Sequence, residues 1–403
     1  MKSLEAFWFS FEAGVRRHRL VHRSVAVVAL LSETAVSALL YLARVRFLRL
    51  NSPGSIGHLV ADIAMFVKGR KLRRIGWYCG IFISPRGVAA NDCLLDYWRR
   101  YVGVVRSPFW ARILTRLTRF KYLVRDVGIL SVNETAPYIA VEREWGGRPA
   151  LLELTDPHRR KGRAWLASMG LPAHAEFICF HSREAGYAPQ DDAPHAFRNS
   201  SIENYLPAVS ELAKRGFWCL RMGNPSMRAI PPLDRVIDYA HLDSRCDWLD
   251  VFLCASCRFF LGSCSGLLNL ASVFGNPCAV ANQAPLSHLL GFGVSDIAIP
   301  KLMWSKSERR HLSFGEVLRS DVANFRYTNL FAERAILPVE NGPEDVRDLA
   351  LEMLERSEGR AVYTERDEEL QRRFAALMRP GHYSYGGINR VGREFLRKYE
   401  SLL

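Results

Sequence analysis

Phe177–Gly186 (FICFHSREAG) and Phe259–Gly266 (FFLGSCSG) are apolar runs of strand length, and each ends in small, hydroxylic or charged residues. In an open α/β sheet, ligands bind where strands release the chain at their carboxyl ends. The first run delivers His181, Ser182, Arg183 and Glu184 to such an edge, and the second delivers Gly262, Ser263, Ser265 and Gly266. A guanidinium beside a Gly/Ser turn that opens a helix makes a pocket suited to a diphosphate.

The same grammar extends outward from these runs. Ser200-x-x-Glu203 reads as a capping box opening a helix with apolar Ile202, Tyr205, Leu206, Val209 and Leu212. Gly216 stops it, and Phe217–Arg221 is the next strand. Val236–Ala240 reads as a further strand, Asp247–Ala255 as a short helix and Arg258–Leu261 as a strand. Gly266–Phe274 is then a helix capped by Gly275, followed by strand Cys278–Ala281. Strand–helix alternation at this pitch predicts an α/β fold with a parallel, doubly wound sheet.

Toward the N-terminus, Phe47–Leu50 is a short strand. The glycine turn Asn51–His58 feeds a helix over Leu59–Val67, and Arg74–Ile83 is a second strand region. Asn91–Val102 and Pro108–Phe120 have helical spacing. Pro149–Pro157 resembles a linker before helix Arg159–Met169, while Asp345–Arg356 and Glu365–Leu377 are helical. The expected division is 1–46 as a basic, apolar helical extension, 47–155 and 156–345 as two domains, and 346–403 as C-terminal helices packing back across them.

At 403 residues the chain exceeds one ordinary core. Its net charge of +14 is unevenly placed. Residues 1–125 hold 22 Lys and Arg against 6 Asp and Glu, and the rest holds 33 against 35. The basicity therefore sits on the N-terminal third, where it attracts phosphate-bearing partners such as anionic lipid or nucleic acid. Nine cysteines without framework spacing read as reduced thiols. Cys254-x-x-Cys257 lies among phenylalanines and reads as small apolar residues rather than a zinc site.

Ser24–Leu42 is about long enough to cross a bilayer, yet Glu33 sits in its middle and arginines flank both ends, including Arg16, Arg17 and Arg44. Three readings stay open: a helix lying on a leaflet, one packed on its own domain, and a span.

Period-two alternation sends His181 and Arg183 to one side of their strand, where Arg183 offers two oxygens a rigid fork. The alternative is a structural ion pair. Arg221-Met-Gly223 repeats the pattern one unit later, and its alternative is pairing of Arg221 with Asp238 or Asp243. Gly262–Gly266 opens a helix whose free N–H groups suit phosphate, with simple capping by Ser263 or Ser265 as the bland account. It is neither a Walker loop nor a dinucleotide fingerprint. Asp247-x-x-Asp250 reads as an N-cap at Asp247 and a partner for Arg245 rather than as a metal pair. His58, in the N-terminal glycine turn, is a candidate general base or a solvated capping residue.

HSREAGY (181–187), RNSSIENY (198–205), LRMG (220–223), DWLDVFLCASCRFFLGSCSG (247–266), FGNP (274–277) and GSIGHL (54–59) together resemble a family of bacterial glycosyltransferases of the GT-B fold, and more distantly the fucosyltransferases. The resemblance, which covers most of the chain beyond about residue 45, implies two doubly wound Rossmann-like domains facing a cleft, to which the sequence adds an N-terminal helical extension. It implies a nucleotide-sugar donor on the C-terminal domain and a glycan, lipid-linked or protein acceptor on the other. By match, Arg183 neutralises the leaving diphosphate, His181 supports it, and Ser263, Ser265 and Gly266 form the phosphate turn. Further arginines follow the H-x-R of the fucosyltransferases, whereas Glu184 and Ala185 stand here.

The expected catalytic set is Arg183, His58 and Glu184. The donor-binding set is His181, Arg183, Arg221, Gly223, Ser263, Ser265 and Gly266, with no metal and no cofactor. The expected function is a cytoplasmic glycosyltransferase of surface polysaccharide or glycoconjugate synthesis, peripheral at an anionic inner membrane face and without a nucleic-acid partner. A nucleotide-sugar epimerase of the same fold and a basic nucleic-acid-binding protein are the alternatives.

Overall fold

The runs that end at His181 and Ser263 fold as neighbouring parallel strands, with Phe180 opposite Leu261 and His181 opposite Gly262. A computed structural model describes residues 19–50, 52–127, 135–186, 192–291 and 293–403. Arg16, Arg17, Asn51 and Tyr187, used in the sequence reading, lie outside the described residues, as does part of the loop after Gly186.

The chain divides into two compact units, Met1–Leu59 with Arg73–Gly128, and Val60–Leu72 with Ile129–Leu403. The smaller unit holds α1 (Arg19–Leu42), β1 (Val45–Arg49), the first turn of α2 (Ile56–Lys71), β2 (Cys79–Ile83), α3 (Asp92–Trp98), β3 (Gly103–Val105), α4 (Pro108–Leu117) and β4 (Val124–Asp126). Its strands are parallel in the order β3-β2-β1-β4. Phe47, Leu117 and Leu123 form a core cluster, joined by Leu40, Ile81, Ile83, Leu114 and Phe120. Arg46 is buried in β1 because its guanidinium lies 4.2 Å over the Tyr41 ring and donates to the Val45 carbonyl at 2.8 Å.

The larger unit holds α5 (Thr135–Trp145), α6 (Asp156–Ser168), β5 (Phe177–His181), α7 (Leu206–Lys214), β6 (Trp218–Arg221), β7 (Val236–Ile237), α8 (Asp247–Ser256), β8 (Phe260–Ser263), α9 (Gly266–Val273), β9 (Cys278–Gln283) and β10 (Ile297–Pro300). After these come β11 (Leu302–Ser305), β12 (Arg310–His311), α10 (Phe314–Arg319), α11 (Thr328–Glu333), β13 (Ile336–Val339), α12 (Pro343–Ser357), α13 (Glu365–Leu377), β14 (Arg390–Val391) and α14 (Arg393–Lys398). Seven strands make one sheet, β14-β10-β9-β8-β5-β6-β7, and every pairing in it is parallel. β11, β12 and β13 form a separate antiparallel sheet.

Both parallel sheets are wound the same way. From β5 the chain adds β6 and β7 on one side, then returns to add β8, β9 and β10 on the other. From β1 it adds β2 and β3, then β4 across from them. This is the doubly wound, Rossmann-like order, and its direction of growth reverses between β5 and β8 and between β1 and β4. β5 lies wholly buried mid-sheet, which is why its five residues read as a run without alternation.

Several local expectations change. The stretch 149–157 is not a loose linker: Leu151, Leu152 and Leu154 are buried, and the Leu152 N–H donates to the Val273 carbonyl at 3.3 Å. No capping box forms at Ser200. Ser201 caps a 3-10 turn, Ile202–Asn204, ahead of α7, while Glu203 pairs with Arg228 at 3.0 Å. Asp247 is the first residue of α8 rather than its cap, which is Cys246. The second strand begins only at Cys79, since residues 72–75 turn and Arg73 takes a left-handed φ of 59°. All nine cysteines are free, and Cys254 and Cys257 are buried. Among the described residues, no helix is long and apolar enough to cross a membrane.

Candidate functional site

β5 and β8 leave the larger sheet side by side at the point where winding reverses, where α/β sheets open a crevice for ligands. The two exits are clasped together. The Arg183 N–H donates to the buried Ser263 Oγ at 2.8 Å. Gly262 permits the approach, since a Cβ there would stand 2.9 Å from the His181 carbonyl oxygen and 2.8 Å from the Phe260 ring. Behind the clasp, Ser182 Oγ donates to the Ser200 carbonyl at 2.5 Å and the Ser200 N–H donates to the Arg183 carbonyl at 3.0 Å. The loop that follows β5 is thereby pinned back onto its own strand end.

His181 serves this scaffold. Its Nδ1 lies 3.0 Å from the Met222 carbonyl, which can only accept, so Nδ1 carries the proton. Burial, aided by the Arg221 and Arg183 charges, lowers the imidazole to about 4 despite that hydrogen bond. A neutral ring in this tautomer offers Nε2 only as an acceptor. Through its Nδ1 bond His181 ties the end of β5 to the β6 exit.

Arg221 departs from expectation in the same way. It is fully buried, and its guanidinium reaches Glu184 at 3.4 Å, Asp238 at 3.3 Å and the Arg228 carbonyl. A buried guanidinium must be paired, and here two carboxylates neutralise it within the fold. Glu184 accepts the Arg228 N–H at 3.0 Å as well, so the expected catalytic carboxylate is bound into this structural cluster. Gly223 is required by its backbone, with φ 148° and the Met227 sulfur 2.2 Å from where a Cβ would sit.

Cationic chemistry at the crevice comes from a different set. Arg183 is half-buried, and its Nη1 donates to Asn199 Oδ1 and to the His195 carbonyl at 3.3 Å. Arg198, next in that loop, donates from Nη2 to the Cys264 carbonyl at 2.7 Å, and its buried Nε has no partner. No carboxylate pairs with Arg198 among the described residues. Beyond it, Arg326 donates to His288 Nε2 at 3.4 Å, and His288 stacks on Tyr383 with ring centroids 4.0 Å apart. Burial lowers His288 to about 3, assisted by the charges of Arg326 and Arg198.

The turn Cys264–Gly266 lies against Arg198. Ser265 is the N-cap of α9, but its hydroxyl makes no capping bond and is buried without a partner. An orphaned hydroxyl at a helix N-terminus, beside a guanidinium held on the turn's own carbonyl, is a set of donors with unmet hydrogen-bonding capacity. Gly266 is the first residue of α9, so its N–H is among the unsatisfied amides of that terminus. Sequence reasoning missed Arg198, Arg326 and His288 as site residues. Arg198 stood within the RNSS motif, but its distance from any strand end concealed its reach to Cys264.

The remaining candidates sit elsewhere. His58 belongs to the smaller unit, where it stands in the first turn of α2 rather than in the preceding loop. A cavity of about 290 Å³ opens in that unit at the carboxyl ends of β1 and β2, lined by Arg49, Ser84, Thr115 and Thr118 among apolar residues. Asp250 accepts from Tyr239 Oη at 2.7 Å, and burial raises it to about 6. Among the described residues, no cluster of His, Cys, Asp or Glu is arranged to hold a metal ion.

No family model and no curated protein matches the chain. Solved structures similar to it include a family 9 glycosyl transferase from Veillonella parvula, at 11% identity over 77% of this chain and 97% of that one, TM-score 0.44. The ADP-heptose LPS heptosyltransferase II of E. coli is 12% identical over 60% of this chain and 86% of its own, TM-score 0.37. An iron-containing dodecameric glycosyltransferase from enterotoxigenic E. coli is 12% identical over 60% of this chain and 58% of its own, TM-score 0.32.

Proposed function

We propose that the larger unit holds the diphosphate of a nucleotide-activated sugar at the β5/β8 switch point, and that the protein is a GT-B-type glycosyltransferase. One observation carries this reading. Arg198, without a carboxylate partner among the described residues, lies against a turn whose Ser265 hydroxyl is buried and unsatisfied at the N-terminus of α9. Each of these groups lacks something that a phosphate oxygen supplies.

In the transfer step, an acceptor hydroxyl attacks the anomeric carbon. A C–O bond to the acceptor forms as the bond to the diphosphate breaks, and the hydroxyl proton passes to a base, for which His58 is the candidate. Arg183, Arg198 and the α9 amides stabilise the charge that grows on the leaving diphosphate, a task for fixed donors rather than for a covalent nucleophile. The smaller unit's cavity, with its hydroxyls and Arg49, suits an acceptor glycan. Surface polysaccharide or glycoconjugate synthesis is the setting we assign to the activity.

Incubation with a panel of nucleotide sugars and hydroxyl acceptors tests the proposal. Release of nucleoside diphosphate with a glycosylated acceptor is the expected result. A free epimerised sugar without transfer would replace this reading with the epimerase one.

A further inference from the structure

α1 packs on its domain with an unusual face. Ala29, Glu33, Ser37 and Leu40, spaced four, four and three apart, are the described positions withdrawn from solvent along one side of the helix. That stripe is half polar. The Glu33 carboxylate pairs with Arg119 at 2.5 Å, and Ser37 shares a 2.5 Å hydrogen bond with the Tyr122 hydroxyl. The rest of the circumference carries Val27, Val28, Leu31, Leu39 and Leu42, with relative exposures of 55, 65, 65, 64 and 76%. A helix that merely covers its own domain buries its apolar side and shows its polar one. This helix does the reverse, and a contiguous exposed apolar face of this kind marks contact with another surface.

We propose that this face of α1 lies in the headgroup–acyl boundary of an anionic lipid bilayer. Charge selects the occupant. The first 125 residues carry a surplus of 16 positive charges. Arg112, Arg116 and Lys121 are exposed on α4 and the turn after it, the elements against which α1 packs. An exposed apolar helical face on a strongly cationic domain binds where acyl chains and anionic headgroups meet. A second copy of the chain would bring a like-charged surface against this one. Glu33, which would oppose insertion, is turned inward to Arg119 and does not reach the lipid side.

The inference is independent of the nucleotide site, and its test does not pass through catalysis. Flotation of the full chain with phosphatidylcholine vesicles containing about one-third phosphatidylglycerol is the experiment. The protein is expected to float with these vesicles and to bind pure phosphatidylcholine about tenfold more weakly or worse. Leu31→Glu combined with Leu39→Glu places carboxylates on exposed positions, and should reduce binding by about tenfold or more with an unchanged melting temperature. Absence of flotation with anionic vesicles overturns the proposal, as does binding that the double variant leaves intact. A wild-type dimer that the same variant dissociates, with no vesicle binding, reassigns the face to self-association and overturns it too.

Discussion

The N–H of Arg183 donates to the hydroxyl of Ser263 across 2.8 Å, joining the end of β5 to the end of β8. The two residues are 80 apart in sequence, and their strands are adjacent at the point where the sheet changes its direction of winding. The bond fixes where the Arg183 side chain starts and where the turn into α9 begins. One contact therefore sets the spacing of the groups proposed to face the diphosphate.

Ser263→Ala removes the acceptor and leaves a part-buried N–H unsatisfied. The expected cost is about 1–3 kcal/mol in denaturant unfolding. Diphosphate affinity is expected to fall as well, although the Ser263 side chain is buried beneath the crevice. Unchanged stability would show that the clasp does not order the strand ends.

Glu184 and Arg221 are expected to behave as structure. Arg221→Ala strands Glu184 and Asp238 beside a buried cavity and should destabilise by about 3–5 kcal/mol. Glu184→Gln keeps an acceptor for the Arg228 N–H, and its folded fraction should retain transfer activity within a few-fold. A loss of turnover by orders of magnitude in folded Glu184→Gln would restore this residue to the catalytic set.

Acid should unfold the protein partly through two histidines. His181 titrates at about 4 and His288 at about 3 in the folded chain, below the ordinary histidine range. The unfolded chain then binds more protons than the folded one as pH falls through about 6.5. Stability contributed by the neutral rings is complete above that value and is lost progressively toward about pH 4 for His181 and pH 3 for His288. His288→Asn should flatten the decline of unfolding free energy over this window. An identical slope in that variant would mean the imidazole titrates normally.

The larger sheet was legible wherever a buried strand ended abruptly in polar residues. β5, β6, β8 and β9 all have that form, and their parallel, doubly wound arrangement followed from strand–helix alternation. β3 has three residues and β14 has two, so neither holds enough apolar alternation to register. β10 ends in Pro300, and β11–β13 pair antiparallel outside the wound sheet. The candidate site was legible at its edge but not in its membership. Arg221 and Arg183 leave neighbouring strands in the same chemical guise, yet Arg221 is sealed between Glu184 and Asp238 while Arg183 turns to the Asn199 loop. Periodicity places a side chain on a face; it does not reveal which carboxylates the following loops bring to it. Arg198 was hidden for the complementary reason, since its position depends on a loop fold that no period encodes. The apolar length of α1 was plain, but its outward apolar face depends on the Glu33–Arg119 and Ser37–Tyr122 contacts.

The most direct measurement is titration of the wild type and Arg198→Ala with ADP, GDP and UDP by calorimetry. At least one nucleoside diphosphate should bind the wild type, and Arg198→Ala should weaken that binding by about tenfold or more, roughly 1.4 kcal/mol, with its melting temperature preserved. Equal affinity in the two proteins would contradict a diphosphate held between Arg198 and the Ser265 turn.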